Sequence, residues 1–215
     1  MRGRKLRTNK QHLYDTLLPT LTIELPEQGG LQPASLFPSQ RDYWLEIGFG
    51  GGEHLAHQAT NNPTIGMIGC EPYVNGIAGL LGHIDQHKND NIRVFTQDAR
   101  LLMERLPTAS FSRAYVLYPD PWPKSRHHKR RLINTEFLTA LARLIKPEGE
   151  LRIASDDYDY VTWILAHALP HPDFRWEAQN STDWLKPWDD WFSTRYEQKA
   201  LAAGRIPTYL TFTRL

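Results

Sequence analysis

Short apolar runs alternate with helical repeats along most of the chain. "YWLEIG" (43–48) is apolar enough for a buried strand and stops at glycines, and "GEHLAHQAT" (52–60) has helical spacing. "TIGMIGCE" (64–71) predicts a second strand and "VNGIAGLLGHIDQHK" (74–88) a second helix, despite three glycines. "IRVFTQD" (92–98) and "SRAYVLYPD" (112–120) predict strands three and four. "TEFLTALARLIKPEG" (135–149) predicts a helix closed by Lys146, Pro147 and Gly149. "ELRIASD" (150–156) predicts a fifth strand, followed by a helix near 157–168. "FRWEAQN" and "TYLTFTRL" alternate in polarity and predict an antiparallel pair at one edge. Residues 1–41 are polar and dotted with Pro and Gly, with one short helix predicted near "QHLYDTLL". No segment repeats.

Strand alternating with helix implies an α/β fold, a doubly wound, mostly parallel sheet with an antiparallel edge hairpin. Ligands of such sheets bind outside the C-terminal strand ends. Five acids stand at or near those ends: Glu46, Glu71, Asp98, Asp120 and Asp156. One such acid can be a helix cap or a loop residue; five in register with five strands point to a shared ligand rim.

Composition alters this picture little. The 215 residues, 40% hydrophobic and 23% charged, suit a globular domain with a full core. No apolar run approaches a membrane span, and no signal-peptide segment follows the basic start. A single cysteine, Cys70, excludes an intrachain disulfide, and a reducing cytoplasm is the simplest setting. Charge changes more. The net charge is only +1, yet ten of the 25 basic residues fall in residues 1–10 and 124–131. Arg2, Arg4, Lys5, Arg7 and Lys10 form the first group; Lys124, Arg126, Lys129, Arg130 and Arg131 form the second. Such local patches are the electrostatic footprint of a polyanion partner. Adjacent residues seldom ligate one ion, so His127 and His128, without Cys or His partners at known spacing, predict no metal.

"LEIGFGGGEHL" (45–55) holds Gly48, Gly50 and Gly52 between a strand and a helix, which permits tight turning and close backbone approach to a ligand. A dinucleotide fingerprint calls for glycine where Glu53 stands, and an acid there repels a pyrophosphate. The loop suits a nucleoside without phosphates and resembles the cofactor loop of class I S-adenosylmethionine-dependent methyltransferases. Glu71 lies 19 residues after Gly52, where a carboxylate can accept from ribose hydroxyls. Asp98, followed by Ala99, stands where that class commonly meets the adenine amino group.

The strand-four loop reads "YPDPWPKSRHHKRRL". Asp120-Pro121-Trp122-Pro123 makes a stiff apolar corner able to stack a base, and the adjoining cations can hold phosphates. The motif resembles the signature of the bacterial tRNA (guanine-N7)-methyltransferases, the TrmB family. "EIGFGGG", "IASDD" (153–157), "TRYE" (194–197) and "GRKLRTNKQ" are also similar to that family, so the resemblance runs over roughly residues 2–215. It implies a basic N-terminal extension over 1–40, open to flexibility, and one methyltransferase domain over 41–215. It further implies S-adenosyl-L-methionine as cofactor, S-adenosyl-L-homocysteine as product, and tRNA as partner. Carried over by position, Glu46, Glu71, Asp98 and Asp120 are cofactor-site acids, and Asp120 is the residue usually called catalytic. Lys124, Asp156, Thr194, Arg195, Tyr196 and Glu197 are substrate contacts, with Asp156 and Glu197 suited to the guanine N1–H and 2-amino edge. A helix cap before "RYEQKAL" is the competing reading of Thr194. Trp184, Trp188 and Trp191 are read first as packing or lid residues. Two features depart from the family: Pro72 follows Glu71, where many members have a β-branched residue, and the tail after Glu197 lacks a Gly-His-rich stretch. The rival activity from the same corner is methylation of an exocyclic amine. No feature of the sequence sets an oligomeric state.

Overall fold

The computed structural model describes residues 6–215, so Arg2, Arg4 and Lys5 lie outside the described residues. Two compact units, Met1–Pro107 and Thr108–Leu215, divide the elements between them. In the first, α1 (Thr8–Thr16), α2 (Leu18–Leu21) and α3 (Pro33–Leu36) precede β1 (Asp42–Ile47), α4 (Glu53–Asn61), β2 (Ile65–Cys70), α5 (Val74–His87), β3 (Ile92–Phe95) and α6 (Ala99–Arg105). β1 and β2 run parallel, as do β2 and β3. The strands are near-continuous apolar runs because both faces of a parallel sheet are covered. Leu45, Ile68, Leu80, Leu81, Ile92 and Val94 are fully buried. The N-terminal segment is tied to this core: the Ile23 N–H donates to the Val94 carbonyl at 2.8 Å, and Leu21 and Ile23 are buried.

The second unit carries β4 (Phe111–Leu117), a 3₁₀ helix (Ser125–Arg130), α7 (Thr135–Leu144), β5 (Ile145–Ser155), α8 (Tyr158–Ala168), β6 (Phe174–Trp176), α9 (Thr182–Leu185), α10 (Arg195–Ala202) and β7 (Thr208–Arg214). β4 and β5 are parallel, β7 lies antiparallel to β5, and β6 lies antiparallel to β7. The expected antiparallel edge pair is therefore present, with α9 and α10 inserted between its strands. The tail after Glu197 completes α10 and supplies β7. Among the described residues no helix is long and apolar enough to cross a membrane.

Three predicted elements have different ends. The helix predicted over 135–149 stops at Leu144, and Ile145 already belongs to β5. Pro147 lacks an N–H and forces Lys146 out of the helical region. The chain bulges between the pairs Phe111↔Ile145 and Arg113↔Glu150 before the ladder resumes. Strand three ends at Phe95 because the Asp98 carboxylate turns to cap α6, accepting from Arg100 N–H at 3.0 Å. Strand four ends at Leu117, since Tyr118 adopts a left-handed φ of 51°.

Two glycines of α5 explain why a good helical repeat tolerates them. A Cβ on Gly76 would lie 2.4 Å from the Gly50 carbonyl oxygen, and one on Gly79 would lie 2.7 Å from that of Gly51. The helix thus meets the β1–α4 loop backbone to backbone. At Gly82 a Cβ would meet nothing within 4 Å. Gly76→Ala is expected to destabilise the protein by about 1–3 kcal/mol through overpacking. Gly82→Ala is expected to stabilise it by up to about 1 kcal/mol through helix propensity. Denaturant midpoints of the two variants check this opposition of sign.

Candidate functional site

The chain leaves β1 through three left-handed glycines: Gly48 (φ 73°), Gly50 (φ 56°) and Gly52 (φ 78°). Gly52 caps α4, so Glu53 is that helix's first residue, as the sequence predicted. Glu71 fastens the turn. It is 5% exposed; one oxygen accepts from Gly50 N–H and the other from Tyr73 N–H, both at 2.9 Å. Glu46 is buried and engaged by protein, its Oε2 lying 2.7 Å from His54 Nδ1, with Gln58 beyond at 3.3 Å from His54 Nε2. Asp98 is exposed at the start of α6, held bidentately by Arg100 at 2.9 and 2.5 Å. That hydrogen bonding keeps its carboxyl below the usual range against some desolvation. Ala99 beside it is buried. Gly48 opens onto free space, with nothing within 4 Å of where a Cβ would stand.

In the second unit, Tyr118 (φ 51°) and Trp122 (φ 45°) bracket Asp120. Left-handed backbone at bulky residues costs about 1–3 kcal/mol each and persists only where the surroundings hold it. Tyr118 N–H donates to the Ala154 carbonyl at 2.8 Å. Asp120 is exposed, and among the described residues its carboxylate makes no hydrogen bond or ion pair. Trp122 is flanked by the Arg130 guanidinium 4.9 Å from its centroid and by the His127 ring at 5.8 Å.

The five clustered cations do not form one set. Lys124, Arg126, Lys129 and Arg130 are exposed along the 3₁₀ helix. Arg131, expected among the phosphate ligands, is only 2% exposed. Its Nε donates to the Pro121 carbonyl at 2.8 Å, and its Nη2 donates to Asp159. Its guanidinium lies over the Tyr160 and Trp163 rings at 5.1 and 5.0 Å. Its charge is used inside the protein and is withheld from solvent.

The "TRYE" residues also divide. Thr194 is buried and caps α10, accepting from Glu197 N–H at 3.2 Å. Arg195 and Tyr196 face outward, with Lys199 Nζ 5.7 Å from the Tyr196 ring. Glu197 is 4% exposed; Trp191 Nε1 donates to both its oxygens at 3.0 Å, and the Tyr209 hydroxyl donates as well. Burial, then Glu197, raises the Tyr209 pKa; burial, Tyr209 and Glu197 raise that of Tyr118. Asp156 is half-buried and accepts from Arg205 Nε at 2.6 Å.

Sequence reasoning did not single out His54, Tyr209, Asp159 or Arg205. Each meets its partner on a different segment of the chain, so only the His54–Gln58 pair, at helical i,i+4 spacing, left a signal. Of the tryptophans, Trp188 donates to Thr211 Oγ1 at 2.8 Å and meets Tyr209 edge-on at 5.5 Å; Trp184 lies 5.2 Å from the Trp176 ring. They are packed residues. Beside Trp188, Arg113 and Arg152 share Glu150 and Asp190, with Arg152 Nη1 2.6 Å and Arg113 Nη1 2.9 Å from Asp190.

Solved structures define the fold. A methyltransferase described as antibiotic related superposes with a TM-score of 0.58 at 14% identity, covering 88% of this chain and 97% of that one. An rRNA methylase from Streptococcus thermophilus gives a TM-score of 0.56 at 10% identity, covering 82% and 89%. At such identities the likeness concerns fold alone, and that fold is the Rossmann-like one of class I methyltransferases. Residues 40–208 match the family model "Putative methyltransferase". A tRNA (guanine-N(7)-)-methyltransferase of Ruegeria sp. is 51% identical over 219 residues, spanning 99% of this chain and 85% of its own. Its counterpart in Rhodospirillum rubrum is 50% identical over 217 residues, with the same coverage of 99% and 85%. The chain belongs to the bacterial tRNA (guanine-N7)-methyltransferase family.

Burial opposes the charge of Asp190, but Arg152 and Arg113 outweigh it and hold the carboxyl below its usual range. A depressed folded pKa contributes stability that is present above the unfolded value and lost as pH falls through the folded one. Wild-type protein should therefore lose stability on acidification below the ordinary carboxylate range. Asp190→Asn should flatten that part of the profile, read by denaturant unfolding across pH with tryptophan fluorescence.

Proposed function

We propose that this chain transfers a methyl group from S-adenosyl-L-methionine to N7 of a guanosine in the tRNA variable loop. The observation that carries the reading is about half identity, over nearly the whole chain, with relatives named for tRNA guanine-N7 methylation.

The residues of the first unit fit such a cofactor. A carboxylate at the place of Glu71, directly after β2, suits ribose hydroxyls, and Gly48 leaves room for a ligand against the backbone. Gly50 and Gly52 shape that backbone. Asp98 and Ala99 would meet the adenine end, while Glu46, engaged by His54, supports the loop from beneath. When bound, S-adenosylmethionine supplies a methyl group on a sulfonium and leaves as S-adenosylhomocysteine.

Guanine N7 presents an in-plane lone pair and no proton at neutral pH. The reaction therefore requires no general base, unlike attack by a hydroxyl. The protein has to orient the base and exclude water. The purine gains positive charge as it is methylated, and a nearby carboxylate stabilises that charge more in the transition state than before it. The exposed, unpaired Asp120 carboxylate suits this task, and Trp122 offers a stacking face. The oxygen of Asp156 not held by Arg205 can accept from the guanine N1–H and 2-amino edge, an edge that adenine lacks. Glu197, buried and engaged by Trp191 and Tyr209, supports that region from inside. Lys124, Arg126, Lys129 and Arg130 hold phosphates, with Arg195 and Tyr196 as outward contacts on α10.

Unmodified tRNA incubated with labelled S-adenosylmethionine should carry label on guanine N7, a fixed-charge purine that cleaves under mild base after borohydride reduction. Label on an exocyclic amine would overturn the reading. Asp120→Ala should lower kcat by about 10²–10³-fold, the scale for losing one electrostatic stabiliser. A wild-type rate in that variant would refute the role given to Asp120.

A further inference from the structure

Arg131 stands apart from the cations beside it. It is the one member of the 124–131 cluster that is buried. Burying a guanidinium is costly unless it is met by polar partners, and here two of its nitrogens are met. Nε donates to the backbone carbonyl of Pro121, the residue after Asp120, and Nη2 donates to the Asp159 carboxylate. The flat face is covered by Tyr160 and Trp163. Those rings are themselves fixed: the Tyr160 hydroxyl accepts from Ile133 N–H at 3.1 Å, and Trp163 Nε1 donates to the Ile133 carbonyl at 2.7 Å. The contacts run from the first turns of α8, through Arg131, to the peptide that links Pro121 and Trp122. That peptide precedes a tryptophan in a strained left-handed conformation, which relaxes unless something holds it.

We propose that Arg131 is a positioning residue for methyl transfer: its guanidinium clamps the Pro121 carbonyl to the Asp159–Tyr160–Trp163 face of α8 and so sets the Asp120 corner. It rests on the reading of that corner as the substrate site. Only a planar, multi-donor cation can bridge a carbonyl and a carboxylate while lying against two rings, so lysine does not substitute.

Two variants test the clamp: Arg131→Lys, which keeps the charge, and Asp159→Ala, which removes the clamp's exposed anchor and leaves the core intact should Arg131→Lys fail to fold. In steady-state methylation of tRNA, both should lose kcat, by about 10–10²-fold as for a displaced catalytic group. Their KM for tRNA should stay near wild type. In Arg131→Lys the slope of log affinity against log salt should also be unchanged. Lys124→Ala and Arg126→Ala should instead raise KM and make the slope shallower by about 0.7–0.9 each. A shallower slope and higher KM in an Arg131→Met variant, with kcat intact, would make Arg131 a phosphate ligand and overturn the proposal; unchanged kcat in Arg131→Lys would also overturn it. Hydrogen–deuterium exchange gives a readout independent of the reaction. The peptide covering 118–133 should exchange faster in both variants while β7 is unaffected, and unchanged exchange refutes the clamp. Faster exchange in a protein whose wild type does not methylate N7 would leave the clamp standing and refute the functional reading.

Discussion

A charge removed from water has to be met by polar partners, and four buried ionic groups show how far this requirement shapes the two units. Glu71 is met by the amides of Gly50 and Tyr73, which closes the β1–α4 turn. Glu46 is met by His54, which ties β1 to α4. Arg131 is met by Pro121, Asp159 and two rings, which ties the strand-four loop to α8. Glu197 is met by Trp191 and Tyr209, which ties α10 to β7 and the tryptophan-rich segment. Each pairing fixes the backbone beside it.

The two functional loops solve a common problem by different means. Both must turn sharply at a strand end. The loop after β1 uses glycines, for which a positive φ carries little penalty, and it lets α5 approach closely. The loop after β4 has bulky residues at its turns instead. It places Tyr118 and Trp122 in the left-handed region, at about 1–3 kcal/mol each, and surrounds them with restraints: the Tyr118–Ala154 hydrogen bond, the Arg130 and His127 faces on Trp122, and the Arg131 contact to Pro121. Between these restraints Asp120 stands exposed, with no hydrogen bond or ion pair among the described residues.

A helix or 3₁₀ turn then sorts neighbouring residues by face. In α10, Thr194 and Glu197, three apart, point inward as cap and buried acid, while Arg195 and Tyr196 between them point out. Along 124–131, four cations line the outside and the fifth turns in. Stretches that read as uniform motifs are therefore composites of buried and exposed residues.

The sequence by itself determined the alternation of strands and helices, the acids at strand ends, the glycine turn before Glu53, the Asp120 corner and the family. These are carried by period and local spacing, because a strand repeats every two residues and a helix every 3.6. Pro147 was also present in the sequence, but that it marks strand rather than helix end depended on the pairing of β5 with β4 and β7. Only the tertiary structure decided which charges are already taken. His54 for Glu46, Asp159 for Arg131, Tyr209 for Glu197 and Arg205 for Asp156 stand on different elements from their partners. A side chain's availability is set by its neighbours in space and its exposure to water. Local sequence spacing encodes the face it occupies; it does not encode what packs against that face.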